Sequence, residues 1–140
     1  LEALAASSLG RIRILDRAEG ARLAALYMGA DVLVVPSVRE VWGLVVNEGL
    51  AAGLFVVATD EVSAAIDLVD AGSGIVIPAD DQDRLVDALV LAADSDVSGA
   101  ARAYRRSRVS RCTPIGFAEA VNRAIDLAMS RHPRAMGARR

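Results

Sequence analysis

Three short apolar runs, separated by helix-like segments, constrain the fold of this 140-residue chain more than any other feature. The runs are Asp31–Val35, Phe55–Ala58 and Ile75–Ile77. They are continuous rather than alternating, which is typical of parallel strands buried on both faces. Strands that alternate with helices predict a doubly wound, parallel α/β sheet. Only 4% of the residues are aromatic, so we expect a core of Ala, Val, Leu and Ile.

The remaining elements are predicted from periodicity and from turn residues. Apolar and basic residues alternate at Arg11–Leu15, which predicts a further short strand. Helices are predicted at Ala18–Met28, Leu44–Ala52, Ala64–Val69, Asp80 or Asp81 to Ala93, Val97–Ser110 and Pro114–Ser130. The pattern indicates one domain over residues 1–131 that ends in two helices. Residues 132–140 form a polar, Arg-rich tail.

The charges are unevenly distributed, and every basic side chain except one histidine is Arg. Residues 1–100 carry 6 Arg against 16 acids, whereas residues 101–140 carry 10 Arg against 2 acids. A basic end can bind nucleic acid or an anionic membrane. We favour the simpler interpretation, a helical end that neutralises an acidic body, because few aromatic side chains interleave with the arginines to stack on bases. The absence of Lys excludes a P-loop or a Schiff base within this sequence.

Residue types that bind metals or act as nucleophiles are sparse. Cys112 is the only cysteine, and we expect a small, half-buried residue in a reducing cytosol. His132 is the only histidine and lies in the tail, so no Ser–His or Cys–His dyad is expected. Two Asp-x-Asp patterns, at 81–83 and 94–96, are interpreted as a helix start and a turn, and the glycine pair of 72–74 as a turn. No metal is expected.

The loop after the first apolar run brings two carboxylates close to the start of a helix. Pro36 ends the run, residues 37–43 form a polar loop, and the next helix begins at Leu44. Glu40 lies in this loop, and Glu48 lies in the second turn of the helix. Ligands of doubly wound sheets bind beyond the carboxyl ends of the strands. The sequence therefore predicts a functional site in this loop.

The start of this helix suits an anion. The first helical turn has free N–H groups and the positive end of the dipole, and Gly43 allows a ligand to approach closely. A phosphate could rest on the amides of Gly43, Leu44 and Val45. Glu48 could accept hydrogen bonds from a ribose, and Glu40 from a second sugar beyond the phosphates. This arrangement matches a nucleotide-diphosphate sugar, which has hydroxyl groups at both ends and two phosphates between them.

The stretch Asp31–Thr59 resembles the donor-binding core of retaining GT-B glycosyltransferases of the family 4, or group 1, type. Their hallmark is a pair of glutamates separated by seven residues, and Glu40 and Glu48 fit it. Matching residues flank the pair, namely Pro36-Ser37, Gly43-Leu44 and Ala52-Gly53. The similarity runs from about residue 4 to residue 93, and more loosely over 114–130. It implies the C-terminal, Rossmann-like half of a GT-B fold.

The resemblance also implies an activity. A sugar would pass from a nucleotide-diphosphate donor to an acceptor hydroxyl, with retention of the anomeric configuration. By this resemblance Glu48 would bind the ribose, Glu40 would contact the donor sugar as the catalytic residue, and Gly43 and Leu44 would present amides to the diphosphate. Donors aimed at the charge that develops on the departing group lower the barrier. No cofactor is implied, because the nucleotide-sugar is a substrate and the family generally needs no metal.

The sequence departs from the family pattern at several points. Phe55 replaces a usual Pro, and Asp60–Ser63 replaces a loop of small residues. By this resemblance, we expect the upstream segment whose Arg and Lys hold the diphosphate, and the acceptor domain, to lie outside the 140 residues of this sequence. In the family's strand order 3-2-1-4-5-6, Arg11–Leu15 would be strand 3. We therefore expect a fragment with little activity alone, in which Arg11–Leu15 pairs with the edge of the Asp31–Val35 strand or is poorly fixed.

Other functions remain open at this point. The chain could be a non-catalytic nucleotide-binding or interaction module, or an epimerase of the same fold, although one histidine offers little acid–base chemistry. The expected partners are a nucleotide-diphosphate sugar and an acceptor glycan, lipid or small molecule held mainly by the missing N-terminal domain. No nucleic acid is expected. The absence of a long apolar stretch and of a signal peptide favours a cytoplasmic location, with peripheral contact at the inner face of the membrane as an alternative.

Overall fold

The computed structural model describes residue 8 and residues 11–131 of the chain. Within these residues it has three parallel strands and six helices. In chain order they are α1 (Gly20–Met28), β1 (Val32–Val35), α2 (Leu44–Ala52), β2 (Phe55–Thr59), α3 (Ser63–Leu68), β3 (Gly74–Ile77), α4 (Gln82–Ala93), α5 (Gly99–Arg108) and α6 (Pro114–Arg131). The predicted α/β class with two C-terminal helices is confirmed. The predicted tail, with His132, lies outside the described residues.

β2 is the central strand of the sheet, whose order is β1-β2-β3. It pairs in parallel with both neighbours, and all five of its residues are buried. Successive side chains of a strand point to opposite faces. Accordingly, Val56 and Ala58 belong to one apolar cluster, and Phe55 and Val57 belong to another. The central strand therefore supplies the core on both sides of the sheet.

Helices cover both faces of the sheet, with α2 and α3 on one face and α4 on the other. On one face, α2 contributes Val46 and Leu50, and α3 contributes Ala64 and Ala65, all of them inaccessible to solvent. On the other face, α4 contributes the small residues of its apolar stripe, Ala88 and Ala92. Full burial of a Val or Leu side chain contributes about 1.5–3 kcal/mol. This three-layer arrangement is the doubly wound sheet that the sequence predicts.

β1 departs from the prediction that its apolar run is buried on both faces. Val35 is buried, but Val34 is 38% exposed and the other two residues are only partly buried. The reason is the position of α4, which packs on β2 and β3 and leaves the outer part of β1 uncovered. A continuous apolar run therefore did not distinguish the central strand from an edge strand.

The prediction of a strand at Arg11–Leu15 is wrong. These residues are in no strand, and the side chains of Ile12, Ile14 and Leu15 are about half exposed. A strand exists only when its backbone groups find a partner, and in the described part of the chain β1 pairs with β2 alone. Of the two outcomes expected for this segment, direct pairing with the β1 edge does not occur.

Polar side chains of α5 bind this helix to the amino-terminal edge of the sheet. Asp70, in the turn before β3, accepts hydrogen bonds from the hydroxyl groups of Tyr104 at 2.5 Å and Ser73 at 2.8 Å, and lies 3.4 Å from Nε of Arg108. Partial burial by itself raises the pKa of Asp70, but these hydrogen bonds and the charge of Arg108 hold the pKa below its ordinary value. The ionised carboxylate therefore stabilises the contact between α5 and the sheet.

Arg105 of α5 is almost fully buried beneath the same edge. Its Nη2 donates to the carbonyl oxygen of Asp96 at 2.6 Å, and its guanidinium lies over the ring of Phe55, 5.2 Å from the centroid. Burial lowers the pKa of the Arg105 guanidinium. Arg105 and Arg108 of α5 thus serve the fold, and of these two Arg108 lies beside an acid of the body, Asp70.

Replacement of Asp70 by Asn should reduce the free energy of unfolding by about 1 kcal/mol at pH 7, because a charge-assisted contact is lost at a partly exposed site. The pKa of Asp70 is lower in the folded state than in the unfolded state. Its contribution to the free energy of unfolding is therefore fully present above the ordinary Asp pKa of about 3.9, and it is lost as the pH falls through the lowered pKa. Urea unfolding at pH 7 and at pH 2.5 measures both effects. Asp87→Asn, at an exposed site on α4, is the control. An equal loss at both pH values would contradict the assignment.

Replacement of Gly74 by Ala should be far more damaging than replacement of Gly99. A Cβ at Gly74 would lie 2.1 Å from the carbonyl oxygen of Val56 and 2.8 Å from a methyl group of Val69, and the backbone atom cannot move away. We expect a loss of about 1–3 kcal/mol or more in the free energy of unfolding. A Cβ at Gly99 would meet nothing within 4 Å, so Gly99→Ala should leave the stability unchanged or slightly raised. Urea titration of both variants is the measurement.

Candidate functional site

The loop between β1 and α2 is held in place by the segment that follows β2. The backbone N–H of Glu40 donates to the carbonyl oxygen of Glu61 at 3.1 Å, and the N–H of Ala64 donates to the carbonyl oxygen of Trp42 at 2.8 Å. Glu40 and Val62 form an isolated parallel bridge. The sequence Asp60–Ser63, which departs from the family pattern, therefore positions the Glu40 loop through its backbone.

Gly43 joins this loop to α2 in a conformation that favours glycine. Its φ is +91°, and it is buried. A Cβ at this position would lie 2.6 Å from Cγ1 of Val62 and 3.3 Å from Cγ of Glu40. Both the backbone conformation and the lack of space require glycine here. Because Gly43 has no side chain, Glu40 and the start of α2 can lie against each other.

The start of α2 keeps its first amides available. No side chain caps this helix, and its first hydrogen bond runs from the N–H of Val46 to the carbonyl oxygen of Gly43 at 2.9 Å. The amides of Gly43, Leu44 and Val45 precede that bond and have no acceptor within the helix. The side chains of Leu44 and Val45 are exposed. The structure thus brings the three predicted amides together at one open helix end.

Glu48 lies one turn further along α2 and is held by a residue that the sequence analysis did not identify. Its Oε2 accepts a hydrogen bond of 2.9 Å from the hydroxyl group of Tyr27 on α1. Burial raises the pKa of Tyr27 to about 12, with the hydrogen bond and the negative charge of Glu48 as further causes. Tyr27 therefore stays protonated and donates at neutral pH.

Trp42 links the loop to the helix on the other side of Gly43. Its indole N–H donates to Oδ1 of Asn47 at 2.9 Å, and the side chain is 37% exposed. Glu48 and Asn47 are neighbours in α2, and each is held by one hydrogen bond from outside the helix. The first two turns of α2 are therefore fixed on both sides.

Two concave surfaces lie beside α2, one along its later turns and one at its start. A groove of about 400 Å³ lies between α1 and α2 and is lined by Tyr27 and Glu48, among others. A larger cavity of about 910 Å³ is lined by Trp42, Leu44 and Asn47 on one side and by the turn before α6 and its first turns on the other. Of the predicted site residues, Glu48 therefore borders the groove and Leu44 borders the larger cavity, and a ligand of moderate size can bind in spaces of this volume.

Residues near α6 border the larger cavity without having been predicted as site residues. They include Arg111, Arg123 and Cys112. Cys112 is exposed, so the expectation of a half-buried cysteine is wrong. The periodicity of α6 indicated a helix but did not indicate which element it approaches, because that depends on contacts distant in sequence.

The two Asp-x-Asp patterns act as local caps. Asp81 accepts a hydrogen bond from the N–H of Arg84 at 2.9 Å and caps α4, and Asp96 accepts from the N–H of Ser98 at the start of α5. Across residue 8 and residues 11–131, no three His, Cys, Asp or Glu side chains are grouped to hold a metal ion. In the same residues, no helix combines the length and apolarity needed to cross a membrane.

The uncapped start of α2 follows β1 at the carboxyl edge of a parallel α/β sheet and lies between two carboxylates. This edge is where α/β domains of this class commonly bind ligands. Comparison with known families identifies the family of the chain. The family model described as "Glycosyl transferases group 1" matches residues 1–95. The chain belongs to the group 1 glycosyltransferases. The resemblance that rests on Glu40, Glu48 and their flanking residues is thereby confirmed at the level of the family.

Several relatives of the chain are named as enzymes of sugar transfer. A D-inositol 3-phosphate glycosyltransferase of Corynebacterium diphtheriae is 37% identical over 86 residues, which is 61% of this chain and 20% of that protein. A phosphatidyl-myo-inositol mannosyltransferase of Mycolicibacterium smegmatis is 35% identical over 104 residues, 73% of this chain and 27% of that protein. A lipopolysaccharide core biosynthesis mannosyltransferase of Rhizobium meliloti is 42% identical over 79 residues, 54% of this chain and 22% of that protein. The matched part spans about a fifth to a quarter of these relatives.

The contact between Tyr27 and Glu48 can be tested by titration of the phenol. In a Tyr104→Phe background Tyr27 is the only tyrosine, and its pKa should be about 12. Glu48→Ala should lower the pKa of Tyr27 towards 10, although not fully, because burial is the larger cause. Absorbance at about 295 nm after a rapid pH jump reports ionisation before the protein unfolds. Glu40→Ala, which removes no contact with Tyr27, should leave the titration unchanged. An ordinary pKa with Glu48 present would rule the contact out.

Proposed function

We propose that this chain supplies the donor site of a glycosyltransferase that moves a sugar from a nucleotide-diphosphate sugar to an acceptor hydroxyl with retention of configuration. The observation that carries the proposal is the uncapped start of α2, which lies at the carboxyl edge of the sheet between Glu40 and Glu48. Membership of the group 1 glycosyltransferases supports the same chemistry.

The diphosphate is proposed to bind at the start of α2. The amides of Gly43, Leu44 and Val45 lack acceptors within the helix, and the helix dipole adds partial positive charge at the same point. In the reaction the bond between the sugar and the diphosphate breaks, and negative charge builds on the departing oxygen. Fixed donors that face this charge stabilise the transition state more than the ground state. No metal or other cofactor is included in this proposal.

Glu48 is proposed to bind the ribose of the nucleotide. Its Oε2 already accepts the hydrogen bond from Tyr27, which restrains the position of the carboxylate. In the described part of the chain, Oε1 accepts no hydrogen bond and can receive one from a ribose hydroxyl. The exposed position of Glu48 beside the groove between α1 and α2 leaves room for the nucleoside.

Glu40 is proposed to act on the sugar side of the diphosphate. Its backbone is held by Glu61, and its side chain emerges beside Gly43 and is exposed. A carboxylate in this place can accept hydrogen bonds from sugar hydroxyl groups, and it can stabilise the positive charge that develops on the sugar ring in an oxocarbenium-like transition state. Glu40 is therefore proposed as the catalytic residue of this part of the site.

The acceptor is proposed to bind mainly to protein outside this chain. The characterised relatives are about four to five times longer than the matched part, so transfer by these 140 residues alone should be weak. The names of two relatives include inositol-containing acceptors, and those of two include mannosyl transfer. For this chain we propose a glycan, a lipid or a small molecule as acceptor, a cytoplasmic location, and peripheral contact with the membrane where the acceptor is a lipid.

The donor site can be tested by calorimetric titration of the chain with UDP, GDP and ADP and with the sugar conjugates of whichever nucleotide binds. Glu48→Ala should weaken binding of that nucleotide by about tenfold or more, because a hydrogen bond to a charged group contributes about 1.5–3 kcal/mol. Glu40→Ala should leave the nucleoside diphosphate unaffected and weaken only the sugar conjugate. Asp87→Ala, on α4, is the control.

Two results would overturn the assignment. Unchanged nucleotide affinity in Glu48→Ala would remove the proposed ribose contact, and the absence of binding by all three nucleotides would remove the donor site. A non-catalytic nucleotide-binding module is the alternative function. It would be supported if a longer form of the protein, with its acceptor-binding part present, bound the donor but neither transferred nor hydrolysed the sugar.

A further inference from the structure

A further cavity lies at the amino-terminal edge of the sheet, away from the start of α2. Its volume is about 420 Å³, which is within the range of ligand-binding pockets. The strand β2 begins at Phe55, which lines this cavity, and ends at Thr59, next to the loop that carries Glu40. The cavity and the proposed donor site therefore lie at opposite edges of the sheet.

The lining of this cavity is mostly apolar and comes from four elements. Phe55 belongs to β2, Ile75 to β3, Leu91 to α4 and Ala101 to α5. Apolar surface that a ligand covers is removed from water, and this removal favours binding. The lining therefore suits the apolar part of a small molecule.

Arg105 adds a buried positive charge to this lining. The residue is only 2% exposed, and among the described residues it forms no ion pair with a carboxylate. Asp96 also lines the cavity, but its two carboxylate oxygens accept hydrogen bonds from the N–H and the hydroxyl group of Ser98. A buried charge without a counter-ion is costly. The cavity therefore favours a ligand that brings a negative charge.

Two hydrogen-bond donors in the lining residues lack an acceptor. Arg105 donates from Nη2 to the carbonyl oxygen of Asp96 at 2.6 Å and from Nη1 to that of Gly53 at 3.4 Å, and these bonds serve the fold. Its Nε is buried and has no hydrogen-bond partner in the described part of the chain, and the same is true of Oγ of Ser95. Buried donors without a partner are rare, because they lose their bonds to water. The pair therefore indicates a ligand that supplies acceptors.

We propose that this cavity binds a small carboxylate that has an apolar body. The two carboxylate oxygens would accept hydrogen bonds from Nε of Arg105 and from the hydroxyl group of Ser95, and their charge would neutralise the buried guanidinium. The apolar body would cover Phe55, Ile75 and Leu91. The site is separate from the proposed donor site and does not depend on the proposed function.

A ligand in this cavity would connect β2, β3, α4 and α5. A molecule that binds only the folded chain stabilises it by mass action. The free energy of unfolding should therefore rise with the concentration of the carboxylate. The stabilisation should be absent for a molecule of the same shape without the negative charge.

Benzoate and hexanoate are the probes, and their uncharged amides, benzamide and hexanamide, are the matched controls. Backbone NMR signals of Gly72, Ser95 and Ala101 should shift together as each acid is added and should give one affinity. The amides should bind about tenfold or more weakly, because a hydrogen bond to a charged group is stronger than one between neutral groups. This comparison tests the charge of Arg105 without replacing a residue on which the fold depends.

Two variants of α5 test the position of the ligand. Ala101→Leu fills part of the cavity and should weaken binding of both acids about tenfold or more, because the apolar body loses its space. Ala103→Leu makes the same change at an exposed position of the same helix that is outside the lining, and it should leave the affinity unchanged. Circular dichroism and urea unfolding check that both variants fold.

Ser95→Ala tests the hydroxyl contact. The variant removes a buried hydroxyl group that has no partner among the described residues, so the free energy of unfolding without ligand should be unchanged or slightly raised. Binding of benzoate and hexanoate should nevertheless weaken several-fold. A residue with a purely structural role would not separate these two measurements.

Three results would overturn the proposal. Neither acid might shift the NMR signals of the lining residues at any concentration up to its solubility limit. The acids might bind no more tightly than their amides, which would remove the role of the buried charge. Ala101→Leu and Ala103→Leu might bind the acids equally well, which would place the acids outside this cavity. Unchanged affinity in Ser95→Ala would contradict the proposed contact with the hydroxyl group.

Discussion

The contact of Gly43 with Val62 and Glu40 is the constraint on which the candidate site depends. The left-handed backbone at Gly43 turns the chain from the loop after β1 into α2, and the absence of a Cβ lets that turn lie against the segment after β2. Two loops that follow neighbouring parallel strands are thereby joined into one surface. A larger residue at position 43 would separate Glu40 from the helix start and would disturb both loops.

The segment that lies against Gly43 is in turn positioned by the buried strand β2. The central strand ends at Thr59, next to the backbone bonds that hold Glu40, and all five of its residues are buried. The site therefore combines a buried base with exposed functional groups. Such a division is common in α/β proteins, in which a scaffold buried by apolar contacts holds loops that carry the polar chemistry.

Three of the arginines of α5 have partners within the fold. Arg102 pairs with Asp31, Arg105 is buried over Phe55, and Arg108 lies next to Asp70. Among the described residues, Arg111 and Arg123 have no ion pair or side-chain hydrogen bond. Contacts within the fold therefore explain one part of the excess of basic residues after residue 100.

Much of the fold and the location of the candidate site could be predicted because both follow from local patterns. Three apolar runs, the glycines between them and the spacing of Glu40 and Glu48 determined the strands, the helices and the loop in which function was sought. The failures have a common cause. The strand predicted at Arg11–Leu15 and the full burial predicted for β1 both depended on neighbours that the local sequence does not specify.

The sequence by itself determined the α/β class, the family and the pair of glutamates, because helix and strand periods and the seven-residue spacing are properties of short stretches of chain. Only the tertiary structure decided that Tyr27 holds Glu48. These two residues are separated by 21 positions in the sequence. Their contact depends on how α1 and α2 pack, and packing of distant elements is not encoded in any local pattern.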